Sequence, residues 1–257
     1  MADLGYFLQN PVRKIRETLP RFVARDTLDL PQGRHVSICF DDFPKSAATL
    51  GRAELGQRGW KATWYAAGGL MASEHPVYGQ MFDADDLAAL VRDGHDIGCH
   101  TYSHLDCFTA SDEAVLEDYE RNRAFFEEQG LPAPKSFAFP YGSVDVSAKR
   151  LLMDRVPALR GVRPGIHEGT VDRGLLTATG IEDYNGGIRR ALEQLNEMSG
   201  EASWLVIFTH DIRENPSPWG CTLPNLRKLF DAIEESGADV VTVAEMLERM
   251  DAVSAQA

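Results

Sequence analysis

The sequence predicts an α/β fold, a (β/α) barrel built on a parallel sheet. Three observations carry that reading. Apolar, strand-like runs alternate with helical patterns along most of the chain, the order that builds parallel sheets. About eight strand signals fall within 257 residues, which suits a barrel better than an open sheet. Residues able to do chemistry stand at the C-terminal ends of several strand signals, the face on which such barrels carry their sites.

Residues 1–30 read as a lead-in, where PVRKIRETLPRF suggests a short helix. Residues 31–257 read as one domain, with no linker, low-complexity segment or short repeat. The strand signals are HVSICF (35–40), KATWYAA (61–67), HDIGCH (95–100), KSFAFP (135–140), LRGVRP (159–164), LLTATGI (175–181), WLVIFTH (204–210) and DVVTV (239–243). Helical patterns lie between most of them. DADDLAALVRDG has Asp83 to cap its start and Gly94 to stop it. SDEAVLEDYERNRAFFEEQG starts at Ser111, places acids in its first turn and ends at Gly130. PNLRKLFDAIEESG stops at Gly237 in the same way.

Composition narrows the function classes. The chain is 44% hydrophobic and 25% charged, ordinary for a globular protein, with a formal net charge of −13. An acidic chain has no general attraction to phosphate backbones or anionic lipid, which argues against nucleic acid and membrane surfaces as partners. No apolar run reaches the roughly 18 residues of a membrane span. The N-terminus lacks the apolar core of an export signal, so a cytoplasmic location is expected. Homo-oligomerisation is left open. Cys39, Cys99, Cys107 and Cys221 are expected as free thiols, with Cys39 and Cys99 as small core residues.

The chemistry starts at SICFDDFP, where an apolar run ends in Asp41-Asp42. Two adjacent carboxylates in a dry pocket repel, and one pKa rises unless a cation is present. A helix cap is the bland alternative, but Ser46 is available for that. His100 and His104 follow the third strand signal. Two imidazoles and a carboxylate make a three-ligand divalent site, and the second carboxylate is then free to act as a base. Pro140-Tyr141-Gly142 is a turn signature able to present a backbone N–H to an oxyanion. His210 ends an apolar strand and reads as a general acid, or as a satisfied histidine at the barrel rim. His35 and His95 start strands and read as structural. His75 reads as a solvated loop residue, and His167 as a bland one. A regular pleat sends neighbouring side chains to opposite faces, so Asp41 and Asp42 share a pocket only if the strand breaks at about Asp41. Pro44 agrees with such a break.

FDD at 40–42, HTYSH at 100–104, FAFPYG at 137–142 and IFTH at 207–210 occur in this order. In that combination the sequence resembles the polysaccharide deacetylases of the NodB homology type, carbohydrate esterase family 4, over roughly residues 35–245. The resemblance implies a distorted (β/α) barrel of seven to eight strands. It implies a metal-dependent hydrolase that removes acetyl groups from an N-acetylated sugar, oligosaccharide or glycan precursor. By it Asp41 is the base, and Asp42, His100 and His104 hold a divalent metal, usually Zn2+, with Co2+ or Ni2+ as alternatives. The Tyr141 N–H serves the oxyanion and His210 is the acid.

The chain departs from the family pattern in three places. Members typically read FRPPYG, whose arginine orients the catalytic aspartate; here that position is Ala138. Arg163, at the end of a later strand, either substitutes for it or is a surface arginine. Phe43 replaces a glycine, and a ring beside the metal is expected to narrow the pocket. The family's aspartate-and-tryptophan motif has only Asp183-Tyr184 and Trp219 as candidates. These departures favour two alternatives: a small non-sugar amide or cyclic imide as substrate, or a non-catalytic metal- or carbohydrate-binding homologue.

Overall fold

The computed structural model describes residues 16–255. The first fifteen residues of the lead-in lie outside it. From there a tight helical turn at Leu19–Arg21 leads to β1 (Thr27–Asp29) and β2 (Gly33–Asp41). Then come α1 (Arg52–Gln57), β3 (Thr63–Ala66), the short β4 (Glu74–His75) and β5 (Gly79–Gln80), α2 (Ala84–Arg92) and β6 (Asp96–Cys99). α3 (Asp112–Glu128), β7 (Ser136–Ala138), α4 (Val146–Met153), β8 (Ala158–Arg160), β9 (His167–Glu168), β10 (Thr170–Asp172) and β11 (Thr179–Gly180) follow. The chain ends with α5 (Gly187–Glu197), β12 (Ala202–Thr209), α6 (Leu223–Ser236), β13 (Asp239–Val240) and α7 (Val243–Ser254).

Seven strands form one parallel path in the order β11-β12-β2-β3-β6-β7-β8, with β13 beside β2. The sheet curls into a half-barrel. Its two edges are joined by the segment before β11: Leu176 bridges Arg160 in parallel, while Thr179 and Gly180 pair with β12. The expected strand over 175–181 is therefore a seam, paired to β8 at one end and to β12 at the other. β1 pairs antiparallel with β10, and the buried Lys149 ammonium donates to the Pro20 and Val23 carbonyls and to Asp172. These contacts fasten the described part of the lead-in to β10 and α4.

β2 explains why the first strand reads as unbroken apolar sequence. Val36, Ile38 and Phe40 pack outward with Leu205, Ile207 and the α6 residues Leu226, Leu229 and Phe230. Cys39 packs inward with Tyr65, Ala138, Trp204 and Val206. Both faces are covered, so polar alternation is absent. Helix boundaries follow local chemistry. Asp83 caps α2 in a reciprocal capping box with Asp86, Ser111 caps α3, and Gly237 ends α6 in the left-handed region. Ser46 makes no cap bond, contrary to expectation, because its own backbone is already helical. The four cysteines are free and buried. Among the described residues no helix is long and apolar enough to cross a membrane.

Candidate active site

Strand alternation places Asp41, like Cys39, on the inner face of β2. Asp42 would then face outward. Instead its φ is +54°, and the Phe43 N–H folds back to the Asp41 carbonyl in a three-residue turn. The turn brings Asp42 inward again, and both carboxyls line one cavity of about 500 Å³. It also sends Phe43 outward. That ring is fully buried, stacked on Phe82 at 4.2 Å and edge-on to Trp64 at 5.4 Å. The expectation that Phe43 narrows the pocket is thus corrected: the ring fills the core between sheet and helices.

The same cavity receives His100, His104, Tyr141, His210 and Trp219. His100 Nε2 lies 3.6 Å and His104 Nε2 3.4 Å from the Asp42 carboxylate, and one ligand atom from each of the three lies within 4.8 Å of the others. The His100 Nδ1 sits 2.8 Å from the Ala138 carbonyl. A carbonyl only accepts, so Nδ1 carries the proton and Nε2 is left as a lone-pair donor. The loop between the histidines is held by Asp118, which accepts from the Tyr102 and Ser103 N–H groups and the Ser103 hydroxyl. Thr101 and His104 adopt left-handed backbone there, at φ +59° and +57°.

The electrostatics suit a cation. Burial, with the Asp41 charge beside it, pushes the Asp42 pKa well above the carboxylate range, and its Oδ1 is buried without a hydrogen-bond partner. Burial holds the imidazoles neutral, His100 at about 3 and His104 at about 4. Neutral imidazoles and an orphaned carboxylate oxygen are the donor set a divalent metal takes.

Asp41 has the opposite balance. Burial is the largest single influence and would raise its pKa, but the Arg160 guanidinium, 2.5 Å away, together with smaller contributions from His100 and His210, holds it below the usual carboxylate range. Arg160 is fully buried, with the Tyr65 ring at 4.8 Å and the Phe208 ring at 4.9 Å. The guanidinium beside Asp41 is therefore that of Arg160 and not of Arg163. Arg163 is exposed and lines an adjoining cavity that shares Gly142 and Val162 with this one. The expected strand runs on to residue 164, which sets its end at Arg163; the strand in fact ends at Arg160. The available signal was an arginine closing an apolar strand opposite two carboxylates.

Tyr141 stands at φ +60°, and its N–H donates to no acceptor among the described residues. Gly142 follows at φ +64°, where a Cβ would come within 2.0 Å of Val162. The His210 Nδ1 is 3.3 Å from the Trp219 carbonyl, which leaves Nε2 as the free ring nitrogen; burial lowers its pKa. Trp219 lines the cavity at half exposure. Asp183 does not reach it, but holds the Thr222 N–H and the Asn225 amide at the start of α6. Tyr184 is exposed elsewhere. His75, expected to be solvated, lines the cavity with Val77 and Tyr78 on the β4–β5 hairpin.

The sequence profile of the polysaccharide deacetylase family matches residues 30–154, the stretch that carries the carboxylate pair, the histidine pair and the Pro-Tyr-Gly turn. Over that stretch, just under half of the chain, the match is to the polysaccharide deacetylases, in keeping with the NodB-type resemblance of its motifs. A chitin deacetylase from Colletotrichum lindemuthianum is 24% identical over 233 residues, covering 88% of this chain and 84% of that protein. The solved structure of the chitin deacetylase from the same fungus superposes with a TM-score of 0.65 at 20% identity, covering 85% of this chain and 89% of that one. A family 4 acetyl xylan esterase from Clostridium thermocellum, solved with a cobalt ion, gives 0.59 at 18% identity, covering 84% and 91%. The half-barrel is thus that of the family.

Proposed function

We propose that the protein is a metal-dependent hydrolase that removes acetyl groups from an N-acetylated sugar, oligosaccharide or glycan precursor. The observation that carries this is the division of labour between adjacent carboxylates. Asp41 is kept ionised by Arg160, while the Asp42 Oδ1 is buried with no hydrogen-bond partner, beside two neutral imidazoles. Asp42, His100 and His104 would hold the ion, zinc by donor type, with cobalt or nickel also accepted. When bound, such an ion supplies Lewis acidity and lowers the pKa of water at the site.

Asp41 takes the proton of the attacking water, and Arg160 keeps the carboxylate available for it. The Tyr141 N–H stands ready for the oxygen on which negative charge develops. His210, held by the Trp219 carbonyl through Nδ1, offers Nε2 to the departing amine. A non-catalytic reading rested on Ala138, and Arg160 supplies the missing guanidinium.

The test is acetate release from N-acetylchitooligosaccharides and other N-acetylated glycans by zinc- or cobalt-loaded protein, with Asp41→Asn as control. The expected result is turnover that requires metal and vanishes in the variant. Metal-loaded protein that releases no acetate from any N-acetylated glycan would sink the substrate assignment. Acetate or ammonia release from small amides, or ring opening of a cyclic imide to its half-amide, with no turnover of any N-acetylated glycan, would move it to the non-sugar class.

A further inference from the structure

The hairpin of β4 and β5 forms one wall of the cavity. Arg213 fixes it by donating to the Val77 carbonyl at 2.7 Å and the Tyr78 carbonyl at 3.5 Å. Arg213 in turn pairs with the buried Asp211, next to His210 in the chain. The Tyr78 N–H donates to His75 Nδ1 at 3.3 Å. These bonds hold the hairpin as a wall and leave Tyr78 in a defined place.

The Tyr78 ring is stacked on two imidazoles, His75 at 4.6 Å and His210 at 5.6 Å, and lies edge-on to Trp219 at 6.3 Å. The side chain lines the cavity, and the residue is only 9% exposed. Its hydroxyl has no hydrogen-bond partner among the described residues. The oxygen is not sealed in the core but reaches the open space of the cavity. Burial and the surrounding charges of Asp42, Asp211 and Asp41 raise its pKa far above the ordinary value, so the group keeps its proton and remains a donor. The stack on His210 places the ring beside the proposed acid.

We propose that Tyr78 contacts the substrate, its hydroxyl donating a hydrogen bond to a substrate oxygen beside His210. The proposal rests on the deacetylase reading above. The acceptor is either the amide oxygen or a hydroxyl of the sugar, two sources of one chemistry.

Tyr78→Phe tests this without disturbing the ring stack. Because the hydroxyl bonds nothing in the protein, the melting temperature should move by less than about 2 °C. Activity should fall roughly 10- to 100-fold in kcat/KM. If the acceptor is the amide oxygen, the loss lies in kcat and is equal on sugar and non-sugar acetamides. If it is a sugar hydroxyl, the loss is confined to sugar substrates and the affinity weakens. Affinity is read without turnover, as the Kd of N-acetylchitotriose for metal-loaded Asp41→Asn with and without Tyr78→Phe, by tryptophan fluorescence. Unchanged kcat, KM and Kd in the phenylalanine variant would overturn the proposal. A large loss of melting temperature would overturn it too, since it would give the hydroxyl a structural role. If the wild type binds the trisaccharide but releases no acetate from any substrate, the deacetylase reading fails, and Tyr78 is then judged on Kd alone.

Discussion

Replacing Arg160 with methionine keeps most of the side chain's bulk and removes its charge. The pair it forms with Asp41 is fully buried, 2.5 Å apart, with aromatic rings against the guanidinium. Breaking a buried pair by removing one partner costs about 3–5 kcal/mol. For a chain of this length a loss of 1 kcal/mol lowers Tm by about 2–4 °C, so the expected fall at pH 7 is about 6–20 °C. The pH dependence is the sharper part. In the wild type Asp41 is held below its unfolded value, so the pair's contribution is present at neutral pH and lost as pH falls through the folded pKa. Without Arg160, burial and Asp42 raise Asp41 above its unfolded value. The penalty is then full at neutral pH and relieved by acid. Calorimetric melts of both proteins from pH 7 to pH 5 should show the Tm gap narrowing. In acetate-release assays the acid limb of kcat/KM should move to higher pH, with about a 10²–10⁴-fold loss near neutrality. An unchanged Tm, a gap that widens in acid, or an unmoved acid limb would each refute the reasoning.

Chelation should abolish acetate release, and adding zinc to the stripped protein should raise Tm by a ligand-linked amount, about 2.7 kcal/mol at 100-fold Kd. Because both histidines stay neutral down to about 3 and 4, the fall of zinc affinity with acid should begin where Asp42 protonates, higher than either histidine. Isothermal titration at several pH values measures this. Asp118→Ala strips three hydrogen bonds from the histidine loop; zinc affinity should drop roughly 10- to 100-fold, as for other lost outer contacts of a metal site. Gly142→Ala puts a Cβ within 2.0 Å of Val162 at positive φ; kcat should fall with a loss of about 1–3 kcal/mol in urea melts.

Much of this architecture was legible because it is local. Each expected strand overlaps a real one or, at 175–181, a seam; the caps at Asp83 and Ser111 are fixed by side chains within a turn of their target, and the stop at Gly237 by its own left-handed backbone. The break after Asp41 was legible too, since two carboxylates cannot share a pocket across a regular pleat. What escaped depends on distance in the chain. Arg160 meets Asp41 across 119 positions, and the local signal, an arginine closing an apolar strand, does not name its partner. The Phe43 error came from the other half of the turn: the left-handed residue that recovers Asp42 also swings its neighbour into the core. His75 and Tyr78 were missed because two-residue strands leave no periodic signal, and Arg213, far along the chain, sets where their hairpin lies.

The seam at 175–180 bears on when the protein becomes competent. Asp41 belongs to β2, near the middle of the strand path, and Arg160 to β8, its last member, whose outer edge is secured by Leu176. Their contact is a strut across the bowl of the sheet. A folding intermediate with the central strands assembled but the last edge unmade would carry Asp41 without its counter-charge, protonated and inert, even with the metal ligands in place. Catalytic readiness would then report the final closure of the sheet, and refolding followed by metal uptake should run ahead of refolding followed by turnover.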